Sequence, residues 1–175
     1  TAIMQRHVDH HLARARAAGR RAASASRTAL WPSLEALART IERIHNDRGV
    51  VIDIAGDETL EFRGERQDLD EMLGNLLDNA AKYGGGRVFV TVAAVDSAGE
   101  PFIRILIEDD GAGISAADRG KLFARGARLD TGKPGTGLGL AIVRDVAEIY
   151  GGRVELGESE DLGGLLVKLS LPRAG

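Results

Sequence analysis

The chain of 175 residues has no cysteine. Disulfides and thiolate-held metals are therefore excluded, and the redox compartment is not indicated either way. It also lacks any uninterrupted apolar run long enough to cross a bilayer, and its first residues lack the apolar middle of a secretory signal. A soluble piece is expected, with the cytoplasm as the default compartment. No internal repeat is present. Hydrophobic residues make up 43% of the chain, which suits one domain of ordinary size with room for a short appendage.

The net charge of −3 conceals an asymmetry. Residues 1–30 hold six arginines against Asp9, while the rest of the chain holds 17 basic and 25 acidic groups. A basic arm can bind nucleic acid or anionic lipid, but these arginines alternate with alanines at helical spacing and no aromatic lies among them. A solvated helix face fits better, and no nucleic-acid partner is expected. Met4, Val8, Leu12 and Ala15 fall at helical intervals along residues 1–28. So narrow a stripe cannot bury itself, so this helix is expected to pack on a partner helix in another chain or in a segment outside this sequence.

A second helix is expected to start at Pro32 and Ser33 and to stop at Asn46 to Gly49. "VVIDIAG" and "TLEFRG" read as short strands around the turn residues Asp57 and Glu58, and a long helix follows from about Glu65 to Tyr83, ended by three glycines. "RVFVTVAAV" and "PFIRILIED" alternate as the two strands of a hairpin around "DSAGE". The glycine-rich, basic stretch from Gly111 to Gly137 reads as a long loop with one short helix near Ser115 to Gly120; such loops are lids or disordered. A mostly apolar helix, "LGLAIVRDVAEIYGG", and two strands, "RVELGE" and "GLLVKLSL", complete the chain. The expected fold class is α/β, a two-layer sandwich of a mixed sheet and about three helices.

Three constellations carry chemistry. On a helical wheel Asn75, Asn79 and Lys82 lie within about 80° of Glu71, while Leu69, Met72, Leu73, Leu76, Leu77, Ala80 and Tyr83 fill the other side. One face can pack on a sheet while the other presents a carboxylate, two amides and an ammonium in a row. Amide oxygens are neutral hard ligands suited to hydrated magnesium, and a lysine suits the phosphates such an ion carries; a solvated face would share the pattern. Asp109 ends an apolar strand before Gly111 and Gly113, where a carboxylate can accept a hydrogen bond from an exocyclic amine and glycines admit a flat ring. Any acidic turn after a strand looks similar. "GTGLGLAIV", residues 135–143, leads glycines straight into a helix whose first amides can cradle phosphate. The Rossmann pattern fails there because Leu140 takes the third glycine position, and the P-loop fails because Pro134 stands where serine or threonine should bind magnesium. A lid hinge or a packing motif remains open.

The order of these signals, with a loop between the second and third, resembles the ATP-binding catalytic domain of bacterial sensor histidine kinases, within the group that includes gyrase, Hsp90 and MutL. "NLLDNAAKY" resembles the N box, "DDGAGI" the G1 box, "KLF" the F box and "GTGLGLAIV" the G2 box. "LFARGARLDTGKPGTGLGL" is similar to the PhoQ-like branch. The resemblance covers residues 30 to 172, and implies a Bergerat-type ATP-binding fold over 30–173, with residues 1–28 the end of a dimerisation and histidine-phosphotransfer helix. It implies ATP and Mg2+ as cofactors, with Asn79 on the metal, Asn75 supporting it, and Lys82 and Tyr83 on the nucleotide. Asp109 would take the adenine amine. Gly111, Gly113 and Ile114 would line the base pocket, Phe123 would belong to the lid, and Gly135, Thr136, Gly137, Leu138 and Gly139 would surround the phosphates. Arg125 and Arg128, basic residues in the lid, are candidates for γ-phosphate contacts on charge grounds, although lid arginines are often only solvated.

Relatives that hydrolyse ATP carry a glutamate where this chain has Asn75, and a carboxamide cannot act as general base near neutral pH. Glu71, one turn earlier, remains a possible helper. The pattern favours phosphoryl transfer to an already nucleophilic imidazole over a stand-alone ATPase or a non-catalytic partner-binding domain. The acceptor pattern itself does not match His7, His10, His11 or His45, so the acceptor is expected outside this sequence, on the dimerisation domain of the same kinase. His7 and His11 could form half a metal site but lack a third ligand nearby. A cognate response regulator, a membrane-bound homodimeric parent and a place in the cytoplasmic portion of an inner-membrane sensor are further implications of the resemblance.

Overall fold

A computed structural model describes residues 26–113 and 138–175. The helix expected over residues 1–28, the short helix near Ser115 and the lid fall wholly or mainly outside these. In chain order the elements are β1 (Thr28–Ala29), α1 (Leu30–Ile44), a single 3-10 turn (Asn46–Arg48), β2 (Val51–Gly56), β3 (Glu61–Phe62), α2 (Arg66–Tyr83), β4 (Arg87–Ser97), β5 (Glu100–Asp109), α3 (Leu138–Ile149), β6 (Arg153–Glu158) and β7 (Leu165–Pro172). A five-stranded sheet runs β2-β4-β5-β7-β6, with β2 parallel to β4 and every other pair antiparallel. The expected mixed sheet with three helices is therefore present.

Period-two alternation decides which face of the sheet is covered. Val88, Val90 and Val92 of β4, Ile103, Ile105 and Ile107 of β5, and Val167, Leu169 and Leu171 of β7 are all buried. They meet Leu34, Ala38 and Ile41 of α1, the apolar side of α2, and Val143, Val146 and Ala147 of α3 in one core. On α2 the buried set contains Leu69, Met72, Leu73, Leu76, Leu77 and Ala80, while Glu71, Asn75, Asn79, Lys82 and Tyr83 are only half-buried. Each of those leucines stabilises the fold by roughly 1.5–3 kcal/mol relative to exposure. Tyr83 lies at the edge of the apolar side rather than within it.

Three local expectations are corrected. Helix α1 begins at Leu30, before Pro32 and Ser33, and Ser33 is buried at 2% exposure rather than capping the helix. The start needs no side-chain cap because the Leu30 N–H donates to the Leu60 carbonyl at 3.0 Å, continuing the β1–β3 pairing into the first turn. Pro32 is tolerated because first-turn N–H groups have no helical partner to lose. "TLEFRG" contributes only Glu61–Phe62, and these pair with Thr28–Ala29 instead of joining the main sheet. Residue 28, the expected end of the N-terminal helix, is thus already a strand residue, and its hydroxyl donates to the Gly64 carbonyl at 2.9 Å.

The edge strand β2 is blunted from within the chain. The Ile52 N–H donates to Glu42 Oε2 at 2.8 Å and the Ile52 carbonyl accepts from Arg39 Nη2 at 3.1 Å, so two α1 side chains occupy groups that would otherwise template another strand. At the other end of α2, Tyr150 after α3 donates its hydroxyl to the buried Asp68, and its ring stacks edge-on against Phe62 with centroids 5.0 Å apart. This anchors the start of α2 to the end of α3.

The β4–β5 hairpin turns on Ala98 and Gly99, with φ of 52° and 82°. Two central residues with positive φ mark a type I′ turn, which favours Asn-Gly because an alanine Cβ is strained in that region. Ala98→Asn is expected to stabilise the protein by about 0.5–1 kcal/mol in urea denaturation; an unchanged or lowered midpoint would count against the turn assignment.

Candidate functional site

Helix α2 presents its half-buried row toward the start of α3. The Asn75 amide donates to the Glu71 carbonyl at 2.9 Å, one turn back, which fixes its side chain along the helix. Gly139, in the first turn of α3, packs directly on this row. A methyl group at Gly139 would lie 3.4 Å from Asn79 Nδ2 and 3.6 Å from Asn75 Oδ1. Two segments more than fifty residues apart therefore meet at the two asparagines, with a Cβ on Gly139 standing in van der Waals contact with both.

Asp109 forms the second wall. Its residue is 5% exposed, and its Oδ1 accepts from the Gly111 N–H at 2.9 Å and the Leu165 N–H at 3.2 Å. Burial pushes the Asp109 carboxyl up, an effect that the two amides partly offset and neighbouring Asp110 reinforces. Its surroundings admit no side chain. A Cβ on Gly164 would stand 2.2 Å from Asp109 Oδ1, and one on Gly111 would stand 2.5 Å from the Tyr83 carbonyl. Oδ2 makes no hydrogen bond within the described residues and is the acceptor left for a ligand. Gly113 follows with φ of 75°, a backbone that favours glycine.

Lys82 is held by an ion pair, Nζ to Asp78 Oδ2 at 2.9 Å, and His45 Nε2 meets Asp78 Oδ1 at 2.9 Å. Burial alone would raise the Asp78 carboxyl, but hydrogen bonds from His45 and Lys82 outweigh it and hold it below the usual range. The end of α2 is secured by Arg48, whose guanidinium donates to the carbonyls of Ala81, Lys82 and Gly84 at 2.7, 3.1 and 3.0 Å. Asp110 accepts from the Gly85 and Arg87 N–H groups at 2.8 and 3.0 Å, closing the turn beneath Asp109.

Of the residues proposed from sequence, Asn75, Asn79 and Gly139 are brought together, Glu71 and Lys82 lie on the same helix face, and Asp109, Gly111 and Tyr83 form a second contact group. Ile114, Phe123, Arg125, Arg128, Gly135, Thr136 and Gly137 lie outside the described residues, as does the side chain of Leu138. Sequence reasoning missed Gly164, Arg48, Asp78 and Asp110, and considered His45 only as an acceptor. No signal marks them, since their partners are supplied by distant segments. Among the described residues no three His, Cys, Asp or Glu side chains converge to hold a metal. A cation here would rest on the neutral amide oxygen of Asn79 and on a ligand's own anionic groups, a donor set suited to magnesium.

Residues 64–175 match the family described as Histidine kinase-, DNA gyrase B-, and HSP90-like ATPase. The chain belongs to that family. It is 43% identical over 139 residues to the sensor protein kinase CarS of Pseudomonas aeruginosa, covering 79% of this chain and 30% of that one. It is 37% identical over 142 residues to the sensor protein PhoQ of Escherichia coli K12, covering 81% of this chain and 28% of PhoQ. The chain thus spans under a third of these relatives. Among solved structures it resembles the mycobacterial sensor histidine kinase MprB, with a TM-score of 0.72, 28% identity, and coverage of 86% of this chain and 98% of that one. It is also similar to full-length ShkA in complex with AMPPNP, with a TM-score of 0.71, 25% identity, and coverage of 96% and 37%. Within the ATPase family the chain is a catalytic domain of the sensor histidine kinase type.

The Asp109 environment makes stability depend on pH in a defined direction. A carboxyl whose folded pKa is raised above the ordinary 3.8 contributes stability below that value and loses it as pH rises through the folded pKa. Asp109→Asn keeps the acceptor for Gly111 and Leu165 and removes the charge. It is expected to raise the melting temperature at pH 7, by an increment that shrinks as the pH falls toward 3.8. A lowered melting temperature at pH 7 would contradict the burial argument.

Proposed function

We propose that this chain binds Mg-ATP between α2 and α3 and donates its γ-phosphoryl group to a histidine on the dimerisation domain of the same kinase, in two-component signalling. The observation that carries this reading is the meeting of Gly139 with Asn75 and Asn79 beside a buried, amide-held Asp109. Asp109 Oδ2 accepts from the adenine amine, and the glycines around it let the ring approach the backbone. The Asn79 amide oxygen holds magnesium, which supplies charge neutralisation on the phosphates when bound. The first N–H groups of α3 face the phosphates, where an α-helix carries about half a positive charge. Lys82 adds a point charge, released from Asp78 as the nucleotide binds. The reported AMPPNP complex of ShkA supports nucleotide binding in a domain of this shape.

Asn75 supports transfer over hydrolysis. Its amide has no lone pair basic enough to activate water, whereas an imidazole attacks without such help. In transfer the bond from the γ-phosphorus to the β,γ-bridging oxygen breaks, ADP leaves with that oxygen, and a phosphorus–nitrogen bond forms on the imidazole. Arg125 and Arg128 of the lid would neutralise charge developing on the transferred group. The domain organisation is read accordingly: residues 28–173 form the catalytic unit, since Thr28 and Ala29 pair with β3, the residues before them end the second dimerisation helix, and the acceptor histidine, the membrane sensor of a homodimeric parent and the response regulator are supplied from outside. No described helix is long and apolar enough to span a membrane.

Calorimetry on the 175-residue chain is expected to show magnesium-dependent ATP binding, weakened at least about tenfold by Asn79→Ala. After incubation with ATP no acid-labile phosphoryl group is expected on His7, His10, His11 or His45. Binding without magnesium dependence, or an Asn79→Ala protein that binds as the parent does, would overturn the reading. Steady phosphate release abolished by Glu71→Ala would instead establish a hydrolase.

A further inference from the structure

The face of the sheet turned away from the helices carries a second polar site, unrelated to the nucleotide cleft. A cavity of about 220 Å³ opens there, and its lining includes Asp96, Phe102, Arg104, Arg153, Lys168 and Ser170. Register explains the grouping. Arg104 of β5 pairs with Ser170 of β7, and Ser170 pairs on its other side with Arg153 of β6, so the three stand in one row across adjacent strands. Lys168 follows two residues earlier on the same face of β7. With strands spaced about 4.8 Å apart, the two arginine backbones are about 10 Å apart, within the combined reach of their side chains above Ser170.

Among the described residues Arg104 and Lys168 form no ion pair, while Arg153 pairs with Glu155. The Nε of Arg104 is buried and has no hydrogen-bond partner among the described residues. Neither the Arg104 guanidinium, the Lys168 ammonium nor the Ser170 hydroxyl makes a hydrogen bond or ion pair among the described residues, although Ser170 is only 7% exposed. Two carboxylates stand nearby: Glu155, opposite Lys168 in register, pairs its Oε1 with Arg153 Nε at 2.8 Å, and Asp96, which lines the cavity with its side chain largely in solvent, faces Arg173 at 3.7 Å. Two cations without an ion pair among the described residues and a nearly buried hydroxyl thus line one cavity, in a body where acidic groups outnumber basic ones.

We propose that this outer-face cavity binds a small tetrahedral oxyanion of the phosphate dianion class. Arg104 and Lys168 supply the matching charge, Ser170 donates its hydroxyl, and Arg153, oriented by Glu155, closes the fourth side. The cavity is separated from the Asn79 cleft by the thickness of the sheet, so its occupancy does not depend on nucleotide.

The test is a titration of the 175-residue chain with inorganic phosphate at ionic strength held constant with sodium chloride, followed by amide NMR. Saturable shifts are expected at Arg104, Arg153, Lys168 and Ser170. Arg104→Gln is expected to weaken that response by about tenfold, and Lys168→Gln, whose partly exposed side chain gives little reason for misfolding, to weaken it as well. In both variants any phosphate response at Asn79 and Gly139 stays as in the parent. Shifts that never saturate, that the chloride control reproduces, or that survive both substitutions would overturn the proposal. Because the readout requires no ATP, failure of the nucleotide reading leaves it intact.

Discussion

A carboxylate buried at the end of a central strand is the constraint around which the nucleotide side of the domain is built. Asp109 is disfavoured as an anion by its own burial, and two backbone N–H groups stabilise it with no counter-ion among the described residues. Those amides come from Gly111, two residues on, and Leu165, 56 residues on, so the turn after β5 and the start of β7 must meet at one oxygen. The approach is close enough that Gly111 and Gly164 admit no Cβ. A lysine or arginine paired with Asp109 would have been easier to bury. It would also have filled the space where a neutral donor can be read.

The rest of the site is held by contacts that keep α2 in place relative to this carboxylate. Arg48 caps the end of α2, Asp110 closes the turn from Gly85 to Arg87, and the buried Asp68–Tyr150 pair secures the start of the helix. The stem of the asparagine row is consequently clamped at both ends, and Gly139 of α3 seats against its middle. Preorganisation of this kind lets weak individual donors act together, because none has to be ordered when ligand arrives.

Periodicity made much of this legible. The apolar and polar sides of α2 separate on a helical wheel as they do in space, and the β4–β5 hairpin follows from two alternating strands around a short turn. The parallel pairing of β2 with β4 was not legible, since α1 and α2 flank β2 and no local pattern reports a partner 36 residues away. Nor was the role of Arg48, a solvated-looking residue in a 3-10 turn until the fold brings three carbonyls to it. Ser33 misled because a hydroxyl near a helix start looks like a cap, whereas the β1–β3 ladder had already satisfied the first N–H. His45 read as a mismatched acceptor and lies instead against Asp78, the partner of Lys82. In each case the missing information was a long-range contact rather than a residue preference.

The central claim is that Asp109 reads an exocyclic amine. Competition binding of ATP against inosine triphosphate, which presents an oxygen where adenine presents that amine, tests it directly on the 175-residue chain. Two acceptors facing each other leave a buried carboxylate without its donor, so ATP is expected to bind at least about tenfold more tightly. Equal affinity for the two nucleotides would contradict the account.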